Sequence, residues 1–586
     1  MALAGRAPEA AAHAFGQRYD LPLPLDLYLA GAGAAVVLSF VVLAVVFRTR
    51  PRDTTPWADL TVLGPIRALF HPFLIRTIQV IAVALFALIL AAGFIGSQET
   101  IRNFAPAFVW IIWWVGLAYV AALVVNIWPA VNPFAILFAW AEGFWGSISQ
   151  GRRLAVDLPY PAWLGAWPAA AFFLAFAWFE LIAPAAKDPS ALACAILAYA
   201  GLTWAGMWVF GRNTWLRHGE AFTLAFDVFG RFAPLGPGPD TDAPQDSGGR
   251  KPLYLRPYAG ALVTERPSPL SVTAFVLLML ATVTFDGFKE TPLWGTVLRG
   301  LNASPLLHPV IRLIHDAGFD LHLFLATMML VAFPVAFLLV YLAFAWATRA
   351  CAQSAHSVTE TAGLFVWSLV PIAIAYHLAH YLSYLVLAGQ YVIPLLSDPF
   401  GFGWDLLDTA DYKVDISLIG AEFVWNAAVV SIVVGHAIAV GVAHFTALKV
   451  FESPRAALRS QYPLLVLMVG YTVASLWILS QPITGTGNVA ELRANSGTVA
   501  LAPFEFRERC FDLAEGSTLS YRFTANRPVD FDIHYHDGLT LRETVTLKAT
   551  QAADATFEAP TARQYCLFWS NPGLDPAELT YRITGP

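Results

Sequence analysis

Ten stretches of this chain are apolar over a length that crosses a bilayer, and no other feature restricts its fold as strongly. They lie at roughly 28–47, 78–97, 108–128, 162–184, 190–210, 269–288, 321–346, 363–389, 418–445 and 461–481, each close to the roughly 20 residues that one helical crossing needs. In hydrocarbon every backbone N–H and C=O must be satisfied within the protein, which leaves helices for runs of this length. The chain is 57% hydrophobic and only 13% charged over 586 residues, and a soluble globular fold is excluded. The expected fold is a polytopic α-helical membrane protein of about ten transmembrane helices with a small C-terminal all-β sandwich. Its map reads 1–27 as an exported N-terminal tail, 28–482 as the ten-helix domain with a cytoplasmic linker at 211–268, and 483–586 as an exported β-domain.

Sidedness follows from Lys and Arg, which cytoplasmic loops retain. The loops at 48–77, 129–161, 211–268, 347–362 and 446–460 hold 18 of them, and the opposite set holds 8. Both termini are therefore expected outside the cytoplasm. The first 27 residues have no apolar core before a cleavage site and read as an uncleaved tail. No Walker loop, dinucleotide fingerprint or solenoid-length repeat occurs, so a nucleotide-driven pump has no support and no nucleic-acid partner is expected.

After Pro482 the pattern changes to alternating polar and apolar residues rich in Thr, Phe, Tyr and Val, with turn signals at Gly516-Ser517, Asp537-Gly538 and Asn571-Pro572-Gly573. Strands are expected around 500–511, 519–525, 529–536, 541–549, 554–558, 564–570 and 578–583. Cys510 and Cys566 are the two cysteines of this region, and an exported pair is expected to form a disulfide. Asp532, His534 and His536 alternate along one strand, a pattern that suits either a solvent-facing stripe or a copper or zinc site.

The chemistry is concentrated in Tyr376-His377-Leu378-Ala379-His380-Tyr381-Leu382-Ser383-Tyr384, inside the eighth run. On a helix His377, His380, Tyr381 and Tyr384 form one stripe. Ionisable groups at membrane depth mark either a site or a polar helix-helix seam. Depths counted from the span ends bring Asp286, Asp320, His322 and Glu422 toward the same outer layer, while His436 and His444 fall in the inner half. Imidazole with carboxylate suits zinc, manganese, iron or copper, so His377, His380, His322, Glu422, Asp286 and Asp320 make a candidate divalent-metal set, with Glu422 and Asp286 the catalytic carboxylates.

His13 through the Asp20-Leu21-Pro22-Leu23-Pro24-Leu25 lead, Asn132-Pro133, Trp178-Phe179-Glu180-Leu181, Trp215 with Gly219-Glu220-Ala221-Phe222, and Thr284-Phe285-Asp286-Gly287 together resemble a family of bacterial integral membrane proteins named fenitrothion hydrolase. The resemblance implies a bacterial inner-membrane location and hydrolysis of organophosphorus triesters. It carries no catalytic residues over. Tyr565-Cys566-Leu567-Phe568-Trp569-Ser570-Asn571 with Cys510-Phe511 resembles the cross-linked strands of Golgi-dynamics-type (GOLD) β-sandwiches.

Two functions are expected, a metal-dependent hydrolase with a metal-handling or transport protein as its alternative, and the organophosphorus substrate of the first is what the resemblance implies. In a metal-dependent hydrolase the cation lowers the pKa of its water, which attacks phosphorus in an apolar substrate arriving through the lipid. In a metal-handling or transport protein the same ligands bind an ion in transit, and the β-domain receives or delivers it. A second subunit completing the site stays open, and a haem b protein is disfavoured by the depth of His436.

Overall fold

A computed structural model describes residues 24–49, 57–238, 253–302, 304, 307–316, 320–415, 417–481, 490–491, 495–501, 506–537, 540–571 and 576–585. Ten helices are long and apolar enough to cross a membrane. With one short apolar helix they are α1 (Leu25–Val46), α2 (Pro72–Ile95), α3 (Phe104–Leu123), α4 (Ala162–Leu181), α5 (Pro189–Phe210), α6 (the short one, Ala221–Gly230), α7 (Leu270–Lys289), α8 (Leu323–Ala352), α9 (Val358–Ser397), α10 (Ala421–Val450) and α11 (Pro454–Ser480). Of the N-terminal tail expected at 1–27 and the linker expected at 211–268, residues 1–23 and 239–252 lie outside the described residues.

Local sequence explains the helix starts. Asn103 and Asn132 cap the segments that follow them by accepting from Ala105 N, and from Phe134 N and Ala135 N. Ser357 and Glu360 form a reciprocal capping box at the start of α9. Two spans depart from regular α geometry. α3 contains a π-helical stretch, Phe108–Gly116. α9 is 40 residues long because 3-10 turns at Val366–Leu369 and Ala388–Tyr391 join three helical pieces.

Burial ranks the spans. The apolar windows of α9 and α7 are 94% and 83% buried, whereas the other eight lie between 17% and 50%. α9 and α7 therefore form the centre of the bundle, and Thr282, Thr284, Asp286, His377, His380 and Ser383, which they carry, are buried.

The chain divides into two compact units. One comprises 15–287 and 322–481, and the other joins 288–321 to 482–586. The division falls between 481 and 482, and the segment between the sixth and seventh spans groups with the β-strands. Those strands are β1 (Ala490–Glu491), β2 (Ser496–Leu501), β3 (Phe506–Leu513), β4 (Thr518–Asp537), β5 (Thr540–Glu558), β6 (Arg563–Ser570) and β7 (Ala577–Thr584), in the order β1-β3-β6-β4-β7-β2 with β5 on β4. All pairs are antiparallel except the short β1–β3 pair. Trp569, Phe531, Phe523, Tyr565 and Leu519 are the centre of its core.

The strands expected at 519–525 and 529–536 are one continuous strand, and those at 541–549 and 554–558 are another. Arg527-Pro528 falls where the β4–β5 register shifts between Thr524 and Val529, so the proline is accommodated as a bulge rather than a turn.

Candidate functional site

Two helices bring the central groups together. The middle piece of α9, Val370–Leu387, carries Pro371 in its first turn, where a proline costs no hydrogen bond, and continues regularly through His377, His380 and Tyr381. Near the end of α7, Asp286 is buried, and its Oδ2 lies 2.7 Å from His380 Nε2. Tyr381 OH donates to the same oxygen at 2.9 Å. One carboxylate thus ties two successive residues of α9 to α7. Gly287 makes the approach possible, since a Cβ there would meet Tyr376 OH at 2.8 Å and Ile478 Cγ2 at 2.9 Å.

His377 stands beside this cluster in an aromatic enclosure. Its ring is edge-on to Trp114 at 5.8 Å, and Tyr119, Phe229 and Tyr381 complete the cage. Tyr119 OH donates to the carbonyls of His377 and Leu378, fixing the α9 backbone to α3. Nε2 of His377 is buried and has no hydrogen-bond partner among the described residues. A buried unpaired polar group costs on the order of 1–3 kcal/mol, which a ligand would recover.

A cavity of about 20 Å³ adjoins the ring, lined by Trp114, Phe176, Glu180, Thr282, His377 and Tyr381 among others. It holds one water or one small ion. Glu180, which the sequence places at an interfacial position as readily as at a site, lines this cavity. Its neighbours Trp178 and Phe179 gave no hint of that, because an aromatic-rich helix end reads equally well as a membrane anchor.

A second polar seam continues from the cluster. His380 stacks on Tyr376, Tyr376 faces Tyr471, and Tyr471 faces His436 and bonds to Thr284 at 2.5 Å. His436 Nδ1 donates to Ile432 O, and His444 bonds to Gln461 and to the Phe47 carbonyl.

Glu422 does not join the histidines. Gly435 of α10 packs so closely on α9 that a Cβ would lie 2.3 Å from Ala375 Cβ and 2.8 Å from Pro371 O, which sets the relative height of the two helices. As consecutive spans they run in opposite directions, so the level of His380 is reached near Val430, and Glu422 stands eight residues further on, about 12 Å away at 1.5 Å per residue. It is exposed in the first turn of α10. Of the two carboxylates expected there, Asp286 is the one that meets an imidazole, that of His380. Asp320 is exposed and belongs to the other compact unit, and the side chain of His322 lies outside the described residues.

In the β unit Cys510 and Cys566 face each other across β3 and β6 and form a disulfide. Among the described residues, Glu508, Cys510 and Cys566 are the one group of three His, Cys, Asp or Glu whose ligand atoms converge within 4.8 Å. The disulfide withdraws both sulfurs from metal binding. His534 is buried, with Nδ1 2.6 Å from Asp532 Oδ1, whereas the side chain of His536 is outside the described residues.

The buried Glu220 is a further carboxylate, placed just before α6. It accepts from Phe222 N, Thr223 N, Tyr199 OH, the Thr223 hydroxyl and Trp128 Nε1. With five donors around it, Glu220 is a structural cap rather than a ligand in waiting.

No protein-family model matches the chain, and no curated protein does.

Proposed function

We propose that the membrane unit handles a divalent metal ion at the place where α4, α7 and α9 meet, with His377 and Glu180 as its holding groups and the Asp286–His380 pair joined to the cavity through Tyr381. The observation that carries this reading is the unpartnered, buried Nε2 of His377 beside a cavity the size of one ion that Glu180 also lines. Imidazole nitrogens and carboxylate oxygens fit zinc, manganese, iron or copper. The ion is the cargo in this reading.

Hydrolysis of an organophosphorus triester is the second reading, favoured by the Asp286–His380–Tyr381 cluster beside space for one water. A bound metal would supply Lewis-acid polarisation there. His380, held by Asp286, would take or return the proton, and the aromatic cage would exclude bulk water. The cavity of about 20 Å³ is far below the roughly 300 Å³ of an ordinary small-molecule pocket, so substrate entry requires opening between the helices. A single ion fits the cavity at its present size, so metal handling ranks first. The Lys and Arg distribution supports both termini outside the cytoplasm, and a location in the bacterial inner membrane, in contact with lipid, is what the family resemblance implies.

Elemental analysis of the purified chain, followed by an assay on a nitroaryl phosphotriester, separates the readings. Stoichiometric metal without turnover supports handling, and metal with turnover supports hydrolysis. His377→Ala should lower occupancy while Glu422→Ala leaves it unchanged. Full occupancy in both His377→Ala and Asp286→Asn, or no metal in any preparation, would overturn both readings.

A further inference from the structure

Asp286 and Glu180 sit near the ends of α7 and α4. The beginnings of the same two helices frame a second, larger cavity, of about 500 Å³. Its walls come from Trp163 and Trp167 at the start of α4, from Arg217 and His218 in the short helix Arg212–His218, from Arg231 just after α6, and from Trp367 of α9. The volume falls within the range of small-molecule sites.

The charge on this wall is unbalanced. Arg217 and Arg231 face one carboxylate, Asp227, so the lining is net positive. Arg231 is half-buried with its guanidinium 4.1 Å above the Trp367 ring, which fixes the plane of its donor fork. His218 is held flat against Tyr160, ring centroids 5.0 Å apart. Arg217 and Trp163 are exposed at the mouth, Trp163 by 78%.

The walls are also preformed. Trp367 Nε1 donates to Ser268 Oγ at 2.9 Å, and Ala166 N donates to Ser271 Oγ at 3.0 Å. Gly363 packs on Ser268 so tightly that a Cβ would lie 2.1 Å from its carbonyl oxygen. A rigid cavity with two guanidiniums and an indole-rich rim is matched to an anion that carries an apolar or neutral body. Bare inorganic phosphate would leave most of the space empty.

We propose that this cavity binds a glycerophosphate-type anion, with the phosphate between Arg217 and Arg231 and the body against Trp163 and Trp167. Two sources share that chemistry, the headgroup of an anionic phospholipid and a soluble phosphoester. The Lys and Arg count assigns this end of α4 and α7 to the cytoplasmic face, where anionic headgroups and interfacial tryptophans meet.

Titration calorimetry on the full chain in neutral detergent tests it, with dihexanoyl phosphatidylglycerol, dihexanoyl phosphatidylcholine and glycerol 3-phosphate as probes. Phosphatidylglycerol binding at least tenfold tighter than phosphatidylcholine, with glycerol 3-phosphate weak, supports the lipid source. Equal affinity for phosphatidylglycerol and glycerol 3-phosphate supports the soluble one. Arg217→Gln and Arg231→Gln should each weaken the anionic probe by about tenfold, the scale of one charge-assisted hydrogen bond. Arg217 is exposed, so its variant reports on binding even if Arg231→Gln unfolds. No preference of either anionic probe over phosphatidylcholine, or undiminished affinity in Arg217→Gln, would overturn the site.

Discussion

Asp286 and Glu220 show how similar buried carboxylates do different work. Glu220 is saturated by donors from its own helix start and from Tyr199 and Trp128, so Glu220→Gln should lower thermal stability by roughly 2–3 kcal/mol through lost charge-assisted bonds, with metal content per folded chain unchanged. Asp286→Asn keeps the shape but removes the charge facing His380, so metal content should fall further than stability does. Measuring both quantities on both variants checks the assignment, and a larger metal loss in Glu220→Gln would reverse it. A third residue carries a pH dependence. Burial, and secondarily Arg217, pulls His218 below its ordinary value of 6.5. The unfolded chain then takes the proton more readily, so this contribution to stability is complete above pH 6.5 and is lost as pH falls through 6.5 toward the lower folded value. Thermal unfolding between pH 7 and pH 5 should flatten in His218→Gln relative to the parent. Asp286 and the two histidines were legible in the sequence because ionisable groups inside an apolar run have few explanations. Which carboxylate meets them was not. Depth counted from span ends pointed to Glu422, because α9 begins at Val358 and contains two 3-10 turns that hydropathy cannot reveal.

At the scale of elements, helix registry is set by small residues whose role depends on the neighbour. Gly435 and Gly470 look alike in the sequence, each a glycine in an apolar span. Gly435 touches Ala375 and the backbone of Pro371, whereas no atom lies within 4 Å of a Cβ built on Gly470. Gly435→Ala should therefore push α10 off α9 and cost roughly 1–3 kcal/mol, the scale of overpacking. Gly470→Ala should be neutral or gain up to about 1 kcal/mol, since only the helix propensity of alanine remains. Unfolding temperatures of the two variants in the same detergent decide the matter, and equal losses would mean that registry is fixed elsewhere. The ten spans themselves were readable because each hydrophobic run exceeds the length of a crossing. The β4–β5 pair was half readable: alternation located the strands, but each was divided in two, at 525/529 and 549/554, where the chain continues and β4 carries a bulge.

For the molecule as a whole, the division into two units makes a prediction that neither unit makes alone. The Cys510–Cys566 disulfide spans 56 residues, and in the chain-entropy account a loop of that size contributes about 4 kcal/mol to the unit that contains it. The closed loop contains no residue of the unit of 15–287 and 322–481, in which α7 and α9 are the most buried spans. Calorimetry of the intact chain should show the β unit's transition moving down by about 10 °C or more on reduction, with the membrane unit's transition unchanged. Joint movement of both transitions would mean that they unfold as one. The same bond reports sidedness. If the β unit is exported, as the Lys and Arg count implies, a membrane-impermeant phosphine should reduce it in right-side-out vesicles and leave it intact in inside-out ones. Reduction only in inside-out vesicles would invert the topology, and the cavity of Arg217 and Arg231 would then face away from the anionic cytoplasmic leaflet. Glycerol 3-phosphate, rather than phosphatidylglycerol, would become the expected tighter probe.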